Sequence, residues 1–117
     1  MKTQEEIIEA LPYFHGSEEV YKFSSISHLS LSEGAKFIAE NCKAYWFMDI
    51  ISSYQNKLIN EKFQVWTLTV FNSKCEVVCT NGNETTLVTQ KIKFTDFPLD
   101  SIKLYCTNNV ILLPSEY

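Results

Sequence analysis

Apolar and polar positions alternate with different periods along this chain. From Gln64 to Phe71 every second residue is strongly apolar, with Trp66, Leu68 and Val70 on one face. This two-residue period is typical of a β-strand with one buried face. Similar runs predict further strands at 75–80, 85–94, 102–106 and 110–113, and a short one at 20–26. The second half of the chain is therefore predicted to be mostly strand.

Turn residues separate these runs and favour antiparallel connections. Asn72-Ser73-Lys74 and Asn108-Asn109 each lie between two predicted strands. Asn81-Gly82 is a strong signal for a two-residue type I′ hairpin turn, because both central residues of that turn have positive φ. We expect this turn to lead into a long strand that begins near Thr85.

The first half of the chain carries helical signals. Thr3 and Glu6 form a capping-box pattern and predict a helix from residue 4 to Leu11, which Pro12 ends. Either Ser30 or Ser32 can cap a second helix that continues to about residue 40. A third helical pattern runs from residue 44 to about residue 59.

The third predicted helix carries more apolar surface than one sheet face would cover. At 100° per residue, one arc of about 140° holds Trp46, Phe47, Ile50, Ile51, Tyr54 and Leu58. Tyr45, Met48 and Ile59 lie outside that arc, which leaves a narrow polar strip around Asp49, Ser52 and Asn56. This excess predicts a second contact surface, and it favours a homodimer or another protein partner.

Together these elements predict one α+β domain over residues 1–117. Helices come first and consecutive hairpins follow, so we expect N-terminal helices packed on one face of a C-terminal antiparallel β-meander. With 45% hydrophobic and 14% aromatic residues, the chain can build a core of its own.

Charge and hydropathy argue against two classes of partner. Ten lysines and no arginine are dispersed along a chain of net charge −4, so no basic patch indicates nucleic-acid binding. The chain has no apolar run of the roughly 18 residues that a membrane span needs. Its first residues do not resemble a signal peptide, and we expect a cytoplasmic protein.

The four cysteines are predicted to be free thiols. Cys75 and Cys79 lie on one predicted strand, about 13 Å apart, which is beyond disulfide reach. Their spacing has no matching second pair for zinc, so small buried hydrophobic side chains are the preferred interpretation. The three glycines are isolated and form no phosphate loop. We therefore expect neither a metal nor a cofactor.

The most unusual feature is an aromatic segment with polar neighbours. Tyrosine and tryptophan are enriched at interfaces, where their polar tips find partners. The predicted recognition surface consists of Tyr45, Trp46, Asp49, Tyr54 and Gln55. The leading hypothesis is a small binding or interaction protein. No catalytic motif is found, and the alternative is a small enzyme with a pocket around Asp49, Tyr45 and Tyr54, because proton transfer needs groups that converge on one cavity.

Several short motifs resemble one family over nearly the whole chain. They are Gly16-Ser17-Glu18, Ser32-Glu33-Gly34-Ala35-Lys36-Phe37, Ala44-Tyr45-Trp46 with Asp49, Ser53-Tyr54-Gln55, Phe97-Pro98-Leu99 and Leu113-Pro114-Ser115-Glu116-Tyr117. The chain is similar to an uncharacterised bacterial family known as a domain of unknown function (family 6876). The resemblance implies a bacterial domain, with members often carried on mobile elements, and it implies no activity.

Overall fold

The computed structural model describes residues 2–15, 19–22 and 28–117. Three α-helices lie in these residues: α1 (Gln4–Ala10), α2 (Glu33–Asn41) and α3 (Tyr45–Ser53). The strands are β1 (Val20–Lys22), β2 (Ser30–Ser32), β3 (Phe63–Phe71), β4 (Lys74–Thr80), β5 (Thr86–Ile92), β6 (Ser101–Thr107) and β7 (Val110–Leu112). Short 3₁₀ turns occupy Leu11–Tyr13 and Pro114–Glu116. Within these ranges, no helix has both the length and the apolar character needed to cross a membrane.

The described strands form one sheet in the order β1-β2-β7-β6-β3-β4-β5. Neighbouring strands are antiparallel except β2 and β7, which pair in parallel. The chain is therefore a mixed α/β protein with a mostly antiparallel sheet, as expected at that level.

The strand order differs from the predicted meander. Strands β3, β4 and β5 are consecutive, but β6 returns to the other side of β3 and β7 continues in that direction. Strands β1 and β2 precede α2 and α3, so the helices do not all come before the sheet. Alternation predicts strands and their faces, whereas the long connection from β5 to β6 leaves no periodic signal that fixes its destination.

Side chains at alternate positions of the sheet form the core. Trp66 on β3 lies between Cys79 on β4 and Leu104 on β6, and all three are buried. Two residues further along β3, Leu68 lies in the same way between Val77 on β4 and Ile102 on β6. Buried residues of α2 and α3 belong to the same apolar cluster, so these helices cover this face of the sheet.

The helix starts are set by local caps. Thr3 and Glu6 form the predicted capping box at α1, with Glu6 N donating to Thr3 Oγ1 at 3.2 Å. At α2 the cap is Ser32, whose Oγ accepts from Ala35 N at 3.1 Å. Ser30 instead lies in β2, a strand that the sequence pattern did not predict. The predicted strand at 20–26 appears as β1 over Val20–Lys22, and residues 23–26 lie outside the described part of the chain.

Helix α3 is shorter than predicted, because side chains bond the carbonyls that would continue it. Ser53 Oγ donates to the Ile50 carbonyl at 2.7 Å, and Gln55 Nε2 donates to the Ile51 carbonyl at 2.8 Å. Backbone bonds then tighten to the three-residue spacing, with Gln55 N donating to Ser52 O. Residues 54–60 continue as a series of turns.

The apolar excess of α3 is smaller than predicted. Met48, which was placed outside the core arc, is fully buried in the core cluster, and α2 packs against α3. Tyr45 remains 40% exposed, and Ile59 lies beyond the helix and is 78% exposed. Part of the apolar surface that was expected to face a partner is therefore covered by the same chain.

The hairpin turns also differ from expectation at one place. Asn72-Ser73 and Asn108-Asn109 have positive φ at both residues, as a type I′ turn requires. Asn81-Gly82 does not form a two-residue turn. Asn81 N instead donates to Thr85 O across a longer loop, and the register of β4 and β5 shifts at Cys79 and Thr80.

A buried carboxylate near the end of the chain ties the 3₁₀ turn to the start of α2. Glu116 accepts hydrogen bonds from Ser32 Oγ at 2.6 Å, Gly34 N at 3.0 Å and Leu113 N at 2.9 Å. A carboxylate at this position also interacts favourably with the helix dipole. A Cβ on Gly34 would overlap the ends of the Glu116 and Leu113 side chains, so a larger residue here would displace the carboxylate from its hydrogen bonds. We call Glu116, Ser32, Gly34 and Leu113 the Glu116 network.

We expect Glu116→Gln and Gly34→Ala each to lower the free energy of unfolding by about 1–3 kcal/mol. The first change replaces an acceptor of three buried hydrogen bonds with a group that has one acceptor oxygen, and the second forces the carboxylate away. Urea denaturation followed by circular dichroism measures both. The control is Glu9→Gln on the exposed side of α1, which should change stability by less than about 0.5 kcal/mol. Equal effects of all three variants would contradict the role of the Glu116 network.

Candidate binding cleft

A polar cleft of about 660 Å³ lies between two irregular segments at one end of the fold. One wall comes from the end of α3 and the turns after it, including Ser52, Gln55 and Asn56. The other wall comes from the β6–β7 turn at Asn108 and Asn109. Ser30 N donates to the Asn109 carbonyl at 2.9 Å, so the start of β2 holds this second wall in place.

Two glutamine side chains in the cleft bond each other. Gln55 Nε2 donates to Gln64 Oε1 at 2.9 Å, and Gln64 Nε2 donates to Gln55 Oε1 at 3.0 Å. Gln64 is 3% exposed at the start of β3, and it faces the core side of the sheet like Trp66. The reciprocal bonds join the end of α3 to β3. We call Gln55 and Gln64 the amide pair.

Further hydrogen bonds fix the orientation of the amide pair. Each NH₂ group uses both protons, since Gln55 also donates to Ile51 O and Gln64 also donates to Glu61 O at 3.1 Å. Gln64 Oε1 accepts a second bond from Trp66 Nε1 at 2.9 Å. Among the described contacts Gln55 Oε1 accepts one bond, so it retains capacity for another donor. The cleft therefore contains a rigid polar group with a defined acceptor.

The predicted site residues separate along α3. Tyr45 and Asp49 lie on its exposed side, and burial together with the charge of Glu40 raises the pKa of Tyr45. Trp46 is half-buried and packs edge-on against Phe97, with ring centroids 6.4 Å apart. These three side chains do not line the polar cleft.

The other two predicted residues point in different directions. The ring of Tyr54 packs against Trp66 in a tilted arrangement, with centroids 6.0 Å apart, and the Tyr54 hydroxyl donates to Gln90 Oε1 at 2.8 Å. Gln55 is the member of the predicted set that lines the cleft. Even on a continuous helix at 100° per residue, Tyr54 would lie in the apolar arc, about 140° from Asp49, so these residues would not have shared one face.

Gln64 and Asn56 were not predicted as site residues. Gln64 carried a usable signal, since it occupies an inward position in the Trp66 and Leu68 register and a polar side chain there must find partners. Asn56 was assigned to the polar strip of a helix. Asn56 and Asn108 line the same cleft although they are far apart in the sequence, so local patterns could not bring them together.

All four cysteines are free and buried. Burial raises the pKa of Cys42 to about 11 and the pKa values of Cys79 and Cys106 to about 12. Cys106 contributes to the wall of the cleft as a neutral thiol. Across residues 2–15, 19–22 and 28–117, no group of three or more His, Cys, Asp or Glu side chains could hold a metal ion.

A second cleft of about 310 Å³ lies beside α2. Lys36 Nζ is 4.1 Å from the centroid of the Tyr21 ring, and Phe14 packs on Phe37 at 5.1 Å. Glu33, Glu40 and Asn41 complete its lining, and its volume is less than half that of the first cleft. The polar cleft is therefore the stronger candidate site.

The fold and the cleft define a small mixed α/β domain with a polar cleft beside a sheet that is covered on one face. The chain belongs to the Family of unknown function (DUF6876), whose sequence profile matches residues 5–117. This confirms the family predicted from the sequence motifs. Neither the curated proteins nor the solved structures contain a match.

We expect Gln64→Leu to lower the free energy of unfolding by about 1–3 kcal/mol, because it leaves the Trp66 indole N–H and the Gln55 amide without their partners. Urea denaturation and tryptophan fluorescence measure the effect. Gln4→Leu, at an exposed position in α1, is the matched control. A loss no greater than that of the control would contradict a fixed amide pair.

We also expect stability to fall in alkaline solution. Below pH 9 the cysteines are protonated in both states, so they add no pH dependence. Above pH 9 the thiols ionise in the unfolded chain but remain neutral in the folded one, so the free energy of unfolding falls as pH rises from 9 towards 12. Urea denaturation at about pH 8 and about pH 10 tests this. Cys106→Ala should reduce the fall, and an unchanged pH dependence would contradict the assignment.

Proposed function

We propose that this protein is a small binding protein whose polar cleft takes a neutral molecule rich in hydroxyl or amide groups. The observation that carries the proposal is the amide pair, a preorganised polar group in the wall of a cleft of about 660 Å³. Ligand cleft volumes are typically about 300–1,000 Å³, with a few fixed polar groups that orient the ligand.

The chemistry of the walls supports a neutral ligand. Amide side chains both donate and accept, which suits hydroxyl and amide groups. The acidic Glu61 and the basic Lys62 are adjacent in the wall, so their charges offset each other. The described wall has no arginine, because the chain contains none, and it therefore lacks the bidentate group that favours phosphates and carboxylates.

The geometry does not favour the enzyme alternative. Tyr54 is bonded to Gln90, while Asp49 lies exposed on α3. Neither of the two clefts described above is lined by Asp49, Tyr45 or Tyr54. Proton transfer needs groups that converge on one cavity, and these three side chains do not share one here.

Ligand-observed NMR tests the proposal with panels of defined chemistry. We expect saturation transfer to neutral monosaccharides, polyols or N-acetylated amino-acid amides, and weaker transfer to sugar phosphates and nucleotides. Asn56→Trp should fill the cleft and reduce the transfer at least about tenfold, because a large ring displaces the ligand.

The control is Asn83→Trp, at an exposed asparagine of the β4–β5 loop that lies outside the cleft. It should leave saturation transfer unchanged. Transfer that is lost equally in both variants, or that is strongest for the charged ligands, would contradict the proposal.

A further inference from the structure

Strand β5 forms one end of the sheet in the described part of the chain. It is seven residues long and contains no proline, and its register with β4 is regular from Val88 to Ile92. Such an edge exposes backbone N–H and C=O groups to any second strand. The other end of the sheet is β1, which has three residues.

The register shows which backbone groups of β5 point outwards. Val70 N donates a hydrogen bond to Asp100 O. Even-numbered residues of β3 therefore form their backbone hydrogen bonds with β6, and odd-numbered residues form theirs with β4. Thr67 and Val78 are therefore a hydrogen-bonded pair between β3 and β4. The even-numbered residues of β4 thus bond β3, and its odd-numbered residues form their backbone hydrogen bonds with β5.

The Val77–Gln90 pair extends this alternation into β5. Val88, Gln90 and Ile92 bond β4, while Leu87, Thr89 and Lys91 direct their backbone groups away from the sheet. Thr89 is the middle residue of this outward set.

The charges of β5 are complementary to those of an antiparallel copy of itself. Glu84 precedes the strand, and Lys91 and Lys93 lie at its other end. In an antiparallel pairing centred on Thr89, Glu84 lies opposite the partner's Phe94 and next to its Lys93, whereas in-register parallel pairing would place Lys91 and Lys93 beside their own copies. Lys91 also lies opposite Glu76 in the register with β4, so a neighbouring acid offsets its charge.

The inner flank of β5, meaning its side chains on the core side of the sheet, has apolar surface that a second copy can cover. Val88 and Ile92 are half-buried, and Trp46 and Ile50 of α3 are half-buried in the same cluster. A strand paired with β5 would place its own inward side chains beside this flank. Hydrogen bonds, charge and apolar contact therefore coincide at one edge.

From these observations we propose that two copies of the chain dimerise through antiparallel pairing of β5 with β5. The two-fold axis passes beside Thr89, which faces the partner's Thr89, and Leu87 faces the partner's Lys91. The two sheets join into one continuous sheet. This contact is distinct from the binding cleft, so each proposal can fail without the other.

Light scattering across a dilution series measures the dimer and its dissociation. Thr89→Pro removes the outward N–H and leaves the bonds of β5 to β4 intact, so it should weaken dimerisation at least about tenfold. Thr89→Val keeps that N–H and should dimerise like the wild type. Circular dichroism checks that both variants are folded. A wild type that stays monomeric, or equal dimerisation of the two variants, would overturn the proposal.

Cysteine cross-linking tests the register. Cα atoms of a bonded antiparallel pair are about 5.5 Å apart, within disulfide range, so Thr89→Cys should form a covalent dimer on mild oxidation. The four native cysteines are buried and do not compete. Thr69→Cys, on the exposed face of the inner strand β3, should remain monomeric in denaturing electrophoresis. Equal cross-linking of both variants would count against pairing at β5.

Discussion

The carboxylate of Glu116 is the constraint on which the arrangement of the first half of the chain depends. It accepts from the side chain of Ser32 and the backbone of Gly34, where β2 ends and α2 begins. The same residue fixes the last turn through Leu113, directly after β7. Since β2 and β7 pair in parallel, these bonds hold both strands and the helix start in one register. A buried carboxylate needs several donors, and this junction supplies them.

The other end of β2 holds the second wall of the polar cleft. Leu29 and His28 precede β2, and the Asn109 carbonyl accepts from Ser30. The first wall depends on a different network, in which the amide pair joins the turns after α3 to β3. Two independent polar networks therefore hold the walls of one cleft, and a rigid cleft binds a ligand with a smaller loss of conformational entropy.

The proposed dimer contact and the cleft lie at different parts of the sheet. The cleft is bordered by β6 and the β6–β7 turn, whereas β5 forms the edge beyond β3 and β4. A dimer joined through β5 would leave both clefts open to solvent. Trp46 and Ile50 of α3 pack against the same core as Val88 and Ile92 of β5, and residues after Ser53 line the cleft.

The sequence by itself determined the local elements: the cap at Thr3, the strand faces around Trp66, the turns at Asn72-Ser73 and Asn108-Asn109, and the family. It left Ser30 and Ser32 open as the cap of α2. The local elements depend on neighbours within a few residues, where periodicity and capping act. Only the tertiary structure decided the strand order, the burial of Met48 in the core and the meeting of Gln55 with Gln64. It also decided the Glu116 network, because Glu116 and Ser32 are 84 positions apart and a hydrogen bond over that distance leaves no periodic trace in the chain.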